Sequence, residues 1–204
     1  MKKFLVAIVA VLFAAPSFAQ YSSGGFTLSE STVYYGARVG LNLGWISGDY
    51  SDDMGSKAGM NIGGVLGLRV SDATPVFLES GLYFTMQGAK KDKAETNLNY
   101  LEIPLLIKYG IQATDEIAVL PYLGPTFGLG IGGKTKVPGE GSVGSFSSKG
   151  SFNRPDVGIK VGCGVEYNKL YLETGLKFGV ANVLDSDNDA AHNGAWYINF
   201  GVNF

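Results

Sequence analysis

The chain has 204 residues, with 16 Lys and Arg against 18 Asp and Glu, a net charge of −2 and a single histidine. That balance lacks the basic excess a phosphate backbone demands, so nucleic acid is excluded as a partner. Cys163 is the sole cysteine, so no disulfide within the chain staples the fold; it falls in phase with Val157, Ile159, Val161 and Val165 and reads as a small apolar filler.

The first element, "MKKFLVAIVAVLFAAPSFA", joins two lysines to an apolar run from Phe4 to Ala15 and to small residues at Ser17 and Ala19, the pattern of a cleaved secretory signal peptide over residues 1–19. The run is too short for a membrane-crossing helix, which needs roughly 20 apolar residues, and no later segment comes closer. No cysteine follows it to accept a lipid. Residues 20–33 read as a lead-in on the periplasmic side, and residues 34–204 as one domain.

Eight stretches alternate apolar and polar residues with the period of a strand: 34–46, 57–71, 76–89, 97–110, 117–132, 154–168, 170–183 and 195–204. In "NYLEIPLLIKYG", Leu101, Ile103, Leu105, Ile107 and Tyr109 share one face, while Glu102 and Lys108 share the other. In "LYLETGLKFGVANVL", Leu170, Leu172, Leu176, Phe178 and Val180 oppose Glu173, Gly175 and Lys177. The connections alternate in length. Short ones lie at 71–75, 111–116 and 167–169, and long polar ones at 46–56, 88–97, 133–153 and 185–194. Short turns on one rim and long loops on the other predict an all-β transmembrane antiparallel up-and-down barrel of about eight strands, with the turns in the periplasm and the loops outside.

A soluble lipocalin-like barrel would place the apolar faces inside, and an outer-membrane barrel turns them to lipid. The column Val119, Pro121, Leu123, Pro125, Phe127, Leu129 and Ile131 decides the matter, because eight such columns overfill a small interior. The glycine-rich face then lines the lumen and carries five basic groups, Arg38, Arg69, Lys108, Lys160 and Lys177, and five acidic ones, Glu79, Glu102, Asp156, Glu166 and Glu173. Their charges cancel, which predicts a paired network that closes the lumen. A two-residue hairpin at Asn168 and Lys169 pairs Tyr167 with Leu170 and sets Lys160 across from Lys177, so carboxylates must intervene; Glu173 and Glu102 are the nearest by phase. On the same reading Leu176 faces lipid, and a Ser in place of its lumen neighbour Gly175 is felt only as local crowding.

The last strand, "AWYINFGVNF", places Trp196, Phe200 and Phe204 on the outward face and resembles the signal by which the outer-membrane barrel assembly machinery recognises its clients. "NYLEIPLLIKYG" resembles the signature of the porin-like outer-membrane barrel family common in Bacteroidetes, which includes PorT-type proteins. "GARVGLNLG" (36–44), "PYLGPTFGLGIGG" (121–133) and residues 156–184 extend the likeness over 34–204. The resemblance implies a Gram-negative outer-membrane barrel, with the lipid bilayer and the assembly machinery as partners. It implies no activity, because fold alone does not carry one.

Chemistry-bearing motifs are few. His192 lies near Asp185, Asp187 and Asp189, but a lone loop histidine among Gly, Asn and Asp reads as solvated and the chain as no enzyme. "DSDND" places Asp185, Asp187 and Asp189 at the first ligand positions of an EF-hand loop, yet Ala190 stands where the turn wants Gly and Trp196 where the bidentate Glu belongs. Only weak rim binding of a metal survives there, and no cofactor is expected. The expected role is a structural or interaction barrel that meets a protein partner through its exposed loops. The alternatives are a small porin-like diffusion channel and a rim-located enzyme or ligand carrier.

Overall fold

The computed structural model describes residues 33–48, 55–71, 73–91, 94–137, 141–147, 152–184 and 190–204. Eleven strands occur among them: β1 (Val33–Gly48), β2 (Gly55–Arg69), β3 (Val76–Lys91), β4 (Ala94–Tyr109), β5 (Ile111–Gln112), β6 (Ile117–Gly132), β7 (Lys134–Val137), β8 (Gly141–Gly144), β9 (Pro155–Tyr167), β10 (Leu170–Gly179) and β11 (Ala191–Asn203). Residues 1–32, where the sequence predicts a signal peptide and most of a lead-in, lie outside the described residues, as do Asp185, Asp187 and Asp189. Among the described residues no helix is long and apolar enough to cross a membrane.

Eight long strands, β1, β2, β3, β4, β6, β9, β10 and β11, pair antiparallel in that order. The ring closes where β1 meets β11 from Gly36↔Asn203 to Gly48↔Ala191. Closure leaves no open sheet edge at membrane depth, where an unpaired backbone group has no water to bond. The Phe204 N–H donates to the Tyr35 carbonyl at 2.8 Å, and the two rings stack 5.5 Å apart, fastening the end of the last strand to the start of the first.

The alternation settles which face points where. Leu176 is 37 % exposed and its neighbour Lys177 only 1 %, and the same contrast runs round the wall. Leu41, Ile62, Ile107, Leu123, Phe127, Ile159, Phe178 and Phe200 stand outside, and the polar residues of the same strands stand inside. A continuous apolar belt of this extent on a small chain is an interface with lipid.

The β9–β10 hairpin has the derived register: Tyr167 pairs with Leu170, and Lys160 with Lys177. Asn168, at φ 53°, supplies the left-handed residue that a two-residue turn requires. Two long connections differ from the expectation. Residues 88–91 and 94–97 are strand, because β3 and β4 continue to Lys91↔Ala94; there buried Ala89 and Thr96 face inward while Lys90 lies opposite Glu95 outside. A strand needs only a period of two, and above the lipid its outward members can be charged. Within 133–153, β7 extends the wall beyond Gly133 by pairing with β4, and β8 folds back on β7.

Candidate functional site

The interior is filled in layers from the turn end to the loop end. At the turn end Tyr34, Phe77, Ala118, Leu120 and Tyr171 form a buried apolar cap. At the loop end Ile46, Ala89, Val183, Leu184 and Ala191 form another, with Phe152 packed against it. Between them Leu106, Tyr122 and Tyr197 make a middle layer in which the two phenol oxygens sit 2.9 Å apart. Inward glycines make room for these rings: a Cβ at Gly175 would meet the Tyr197 hydroxyl at 2.6 Å and the Val161 carbonyl at 2.8 Å. A Ser there therefore collides with backbone as well as ring, a larger effect than the mild crowding expected from the sequence.

Two ionic clusters occupy the spaces between the layers. In the turn-end cluster, Lys108 Nζ lies 2.8 Å from Glu79 Oε1, and Tyr34 donates its hydroxyl to Glu79 Oε2 at 2.6 Å. Arg38 reaches Glu79 only at 3.9 Å; its closest bond goes to Asn203 Oδ1 at 2.5 Å, and its guanidinium lies over the Tyr171 ring, 4.2 Å from the centroid. Lys108 also donates to the Tyr171 hydroxyl at 2.8 Å and lies 3.9 Å from Glu173, which accepts a bond from Asn199 at 2.6 Å.

In the loop-end cluster, Glu102 is the hub. It accepts from Lys160 at 3.0 Å, from Gln87 Nε2 at 2.8 Å and from Lys177. Lys177 also bonds Asp156 at 2.7 Å. Glu102 thus stands between the facing lysines, but Glu173 does not, and its place is taken by Asp156. Glu173 and Lys177 are four residues apart on one strand, roughly 13 Å, so the carboxylate serves the lower cluster instead. Two further lumen residues are held by other partners, Glu166 through the same Asn203 that accepts from Arg38. Glu166 is buried and accepts a bond from Asn203 at 2.6 Å, while Arg69, the last residue of β2, is half-buried at the rim and donates to the Ser71 carbonyl at 3.0 Å. Arg69 stands at the turn-end rim because β2 ends there.

The tyrosines and amides that complete both clusters, Tyr34, Tyr171, Gln87, Asn199 and Asn203, are not among the residues singled out from the sequence, although their inward phase marks them. A cavity of about 20 Å³ remains between Asn42, Asn61, Thr85, Gln87, Tyr197 and Asn199 beside the loop-end cluster. It has room for about one water molecule. Among the described residues no group of three His, Cys, Asp or Glu side chains is placed to hold a metal ion. The imidazole Nδ1 of His192 lies 3.1 Å from the Ala181 carbonyl. Trp196, Phe200 and Phe204 all face outward.

Residues 18–185 match the family described as "Outer membrane protein beta-barrel domain". No curated protein matches the chain. Among solved structures, Neisserial surface protein A is 18 % identical with a TM-score of 0.50, the match covering 85 % of this chain and 98 % of that one. A major outer membrane protein from Thermus thermophilus is 13 % identical with a TM-score of 0.50, covering 85 % and 100 %. The attachment invasion locus protein Ail of Yersinia pestis is 13 % identical with a TM-score of 0.48, covering 85 % and 100 %. At these identities the likeness concerns the fold.

Proposed function

Since the chain belongs to the outer-membrane β-barrel family, we propose that it is a non-conducting, non-enzymatic anchor in the outer membrane that acts through its loop end as an interaction barrel. The observation that carries this reading is the filled lumen. Among the described residues, apolar caps at both ends and two ionic clusters between them occupy the interior, and the cavity beside the loop-end cluster admits about one water molecule where a pore needs a continuous path. The loop end, by contrast, raises the β7–β8 hairpin beyond the membrane wall as a surface for a protein partner.

In this reading residues 1–19 direct export and are cleaved, so the amino terminus of the exported protein is Gln20. The assembly machinery then engages the last strand through Trp196, Phe200 and Phe204. The PorT-type kinship within the family belongs to the same proposal and rests on "NYLEIPLLIKYG". His192, turned to the Ala181 carbonyl, supports the loop and performs no chemistry.

Planar-bilayer recording of the purified, folded protein tests the reading. No steady ion conductance is expected. A steady conductance whose ion selectivity changes on Lys160→Glu would overturn it and establish the diffusion channel.

A further inference from the structure

Just above the lipid-facing belt, one flank of the barrel carries a compact basic patch. On β4, Glu95 lies directly across from Lys90 of β3 on one side and from Lys136 of β7 on the other. Lys57 of β2 approaches the same carboxylate at 2.6 Å and is also bonded to Asn97. Lys134 lies two residues before Lys136 and therefore on the same face. Three lysines thus face one carboxylate, with Lys134 beside them on the same face. Lys57 occupies that carboxylate, and Lys90, Lys134 and Lys136 remain exposed.

The patch adjoins the membrane. Met60, Met86 and Ile131, all exposed on the outward face, stand at the upper end of the apolar belt on β2, β3 and β6. Lys90 is four residues beyond Met86, roughly 13 Å along the strand, which is the step from acyl chain to headgroup. The 113–116 turn at the opposite end of the wall carries exposed Asp115 and Glu116 instead. On this flank the exposed lysines, Lys90, Lys134 and Lys136, stand at the loop end next to the lipid belt, and they match a leaflet whose headgroups bear phosphate.

We propose that Lys57, Lys90, Lys134 and Lys136 form a docking site for a phosphate-bearing headgroup of an outer-leaflet lipid, whose acyl chains lie against Met60, Met86 and Ile131. The lysines orient the barrel in the leaflet and hold an annular lipid on the β2–β3–β4–β7 flank. A compact ammonium suits this role because it meets phosphate as a point charge without a fixed fork geometry.

The test is native mass spectrometry of the folded barrel released from detergent micelles containing diphosphoryl lipid A, or the same lipid with its phosphates removed. The native chain should retain the phosphorylated lipid and lose the phosphate-free one. The quadruple variant Lys57→Gln, Lys90→Gln, Lys134→Gln, Lys136→Gln should retain roughly tenfold less, with an unchanged heat-modified gel shift, while the corresponding Arg variant keeps binding. Should the quadruple variant fail to fold, Lys90→Gln with Lys136→Gln, both on exposed side chains, should still lower retention. Equal retention of the two lipids, or of lipid by native and Gln chains, overturns the site. So does displacement of the lipid by an equal concentration of inorganic phosphate, or preferential binding of a soluble sulfated polysaccharide.

Discussion

The two ionic clusters of the lumen hold similar charges in different ways. In the loop-end cluster, a single carboxylate, Glu102, holds both Lys160 and Lys177, and Asp156 is a second acid bonded to Lys177. In the turn-end cluster, neutral groups share the load: Tyr34 donates to Glu79, Tyr171 accepts from Lys108, Asn199 donates to Glu173 and Asn203 accepts from Arg38. A hub concentrates stability in one residue and tolerates loss of a spoke. A shared network spreads it, so that each loss leaves a partly satisfied neighbour. Burying ions is costly in either case, and the penalty falls hardest where removal of one partner strands another.

The largest effect is therefore expected for Glu102→Gln. It strands Lys160 without its carboxylate and leaves Lys177 with Asp156 alone, so unfolding in urea from lipid bilayers should become easier by about 5 kcal/mol, the upper end for a broken buried pair. Lys108→Met in the turn-end cluster should cost less, about 3 kcal/mol, because Glu79 keeps Tyr34 and Arg38, and Glu173 keeps Asn199. If Lys108→Met proves the more damaging of the two, the contrast between hub and network is wrong. Tyr34→Phe removes one hydrogen bond to a charged group that Lys108 still holds, and should cost about 1.5 to 2 kcal/mol in the same assay.

The wall is legible in the sequence and the interior only in part, for a geometric reason. Alternation fixes whether a residue faces lipid or lumen, as Leu176 and Lys177 show, and the Asn168–Lys169 turn fixes the register that sets Lys160 opposite Lys177. Height inside the barrel is another matter. It depends on strand tilt and stagger around the closed ring, which no local pattern encodes. That is why Asp156 meets Lys177 while Glu173, nearer in sequence, does not, and why Arg69 falls at the rim. The fit between Gly175 and the Tyr197 hydroxyl is hidden for the same reason, since the ring arrives from a neighbouring strand. At the loop end, polar composition conceals strand: β3 and β4 run on through residues 88–91 and 94–97, with Lys90 and Glu95 outside in place of apolar side chains.

The smallest effect should come from Lys160→Met, and it probes the hub most directly. The ammonium donates to Glu102 at 3.0 Å and lies between the rings of Tyr83 and Tyr197, 5.4 and 5.3 Å from their centroids. Its removal leaves Glu102 with Lys177 and Gln87, so no carboxylate is stranded. The repulsion between the two facing lysines disappears as well. A Met side chain has similar length, sheds the desolvation penalty of the ammonium and brings sulfur against two aromatic rings. The net cost should be about 1 kcal/mol or less. The double variant Glu102→Gln, Lys160→Met should then be more stable than Glu102→Gln alone, because the ammonium stranded by the first change is gone. Urea unfolding of the two single variants and the double variant measures that coupling. If the two costs simply add, Lys160 draws its stability from the tyrosine rings and not from Glu102, and the loop-end cluster is no hub.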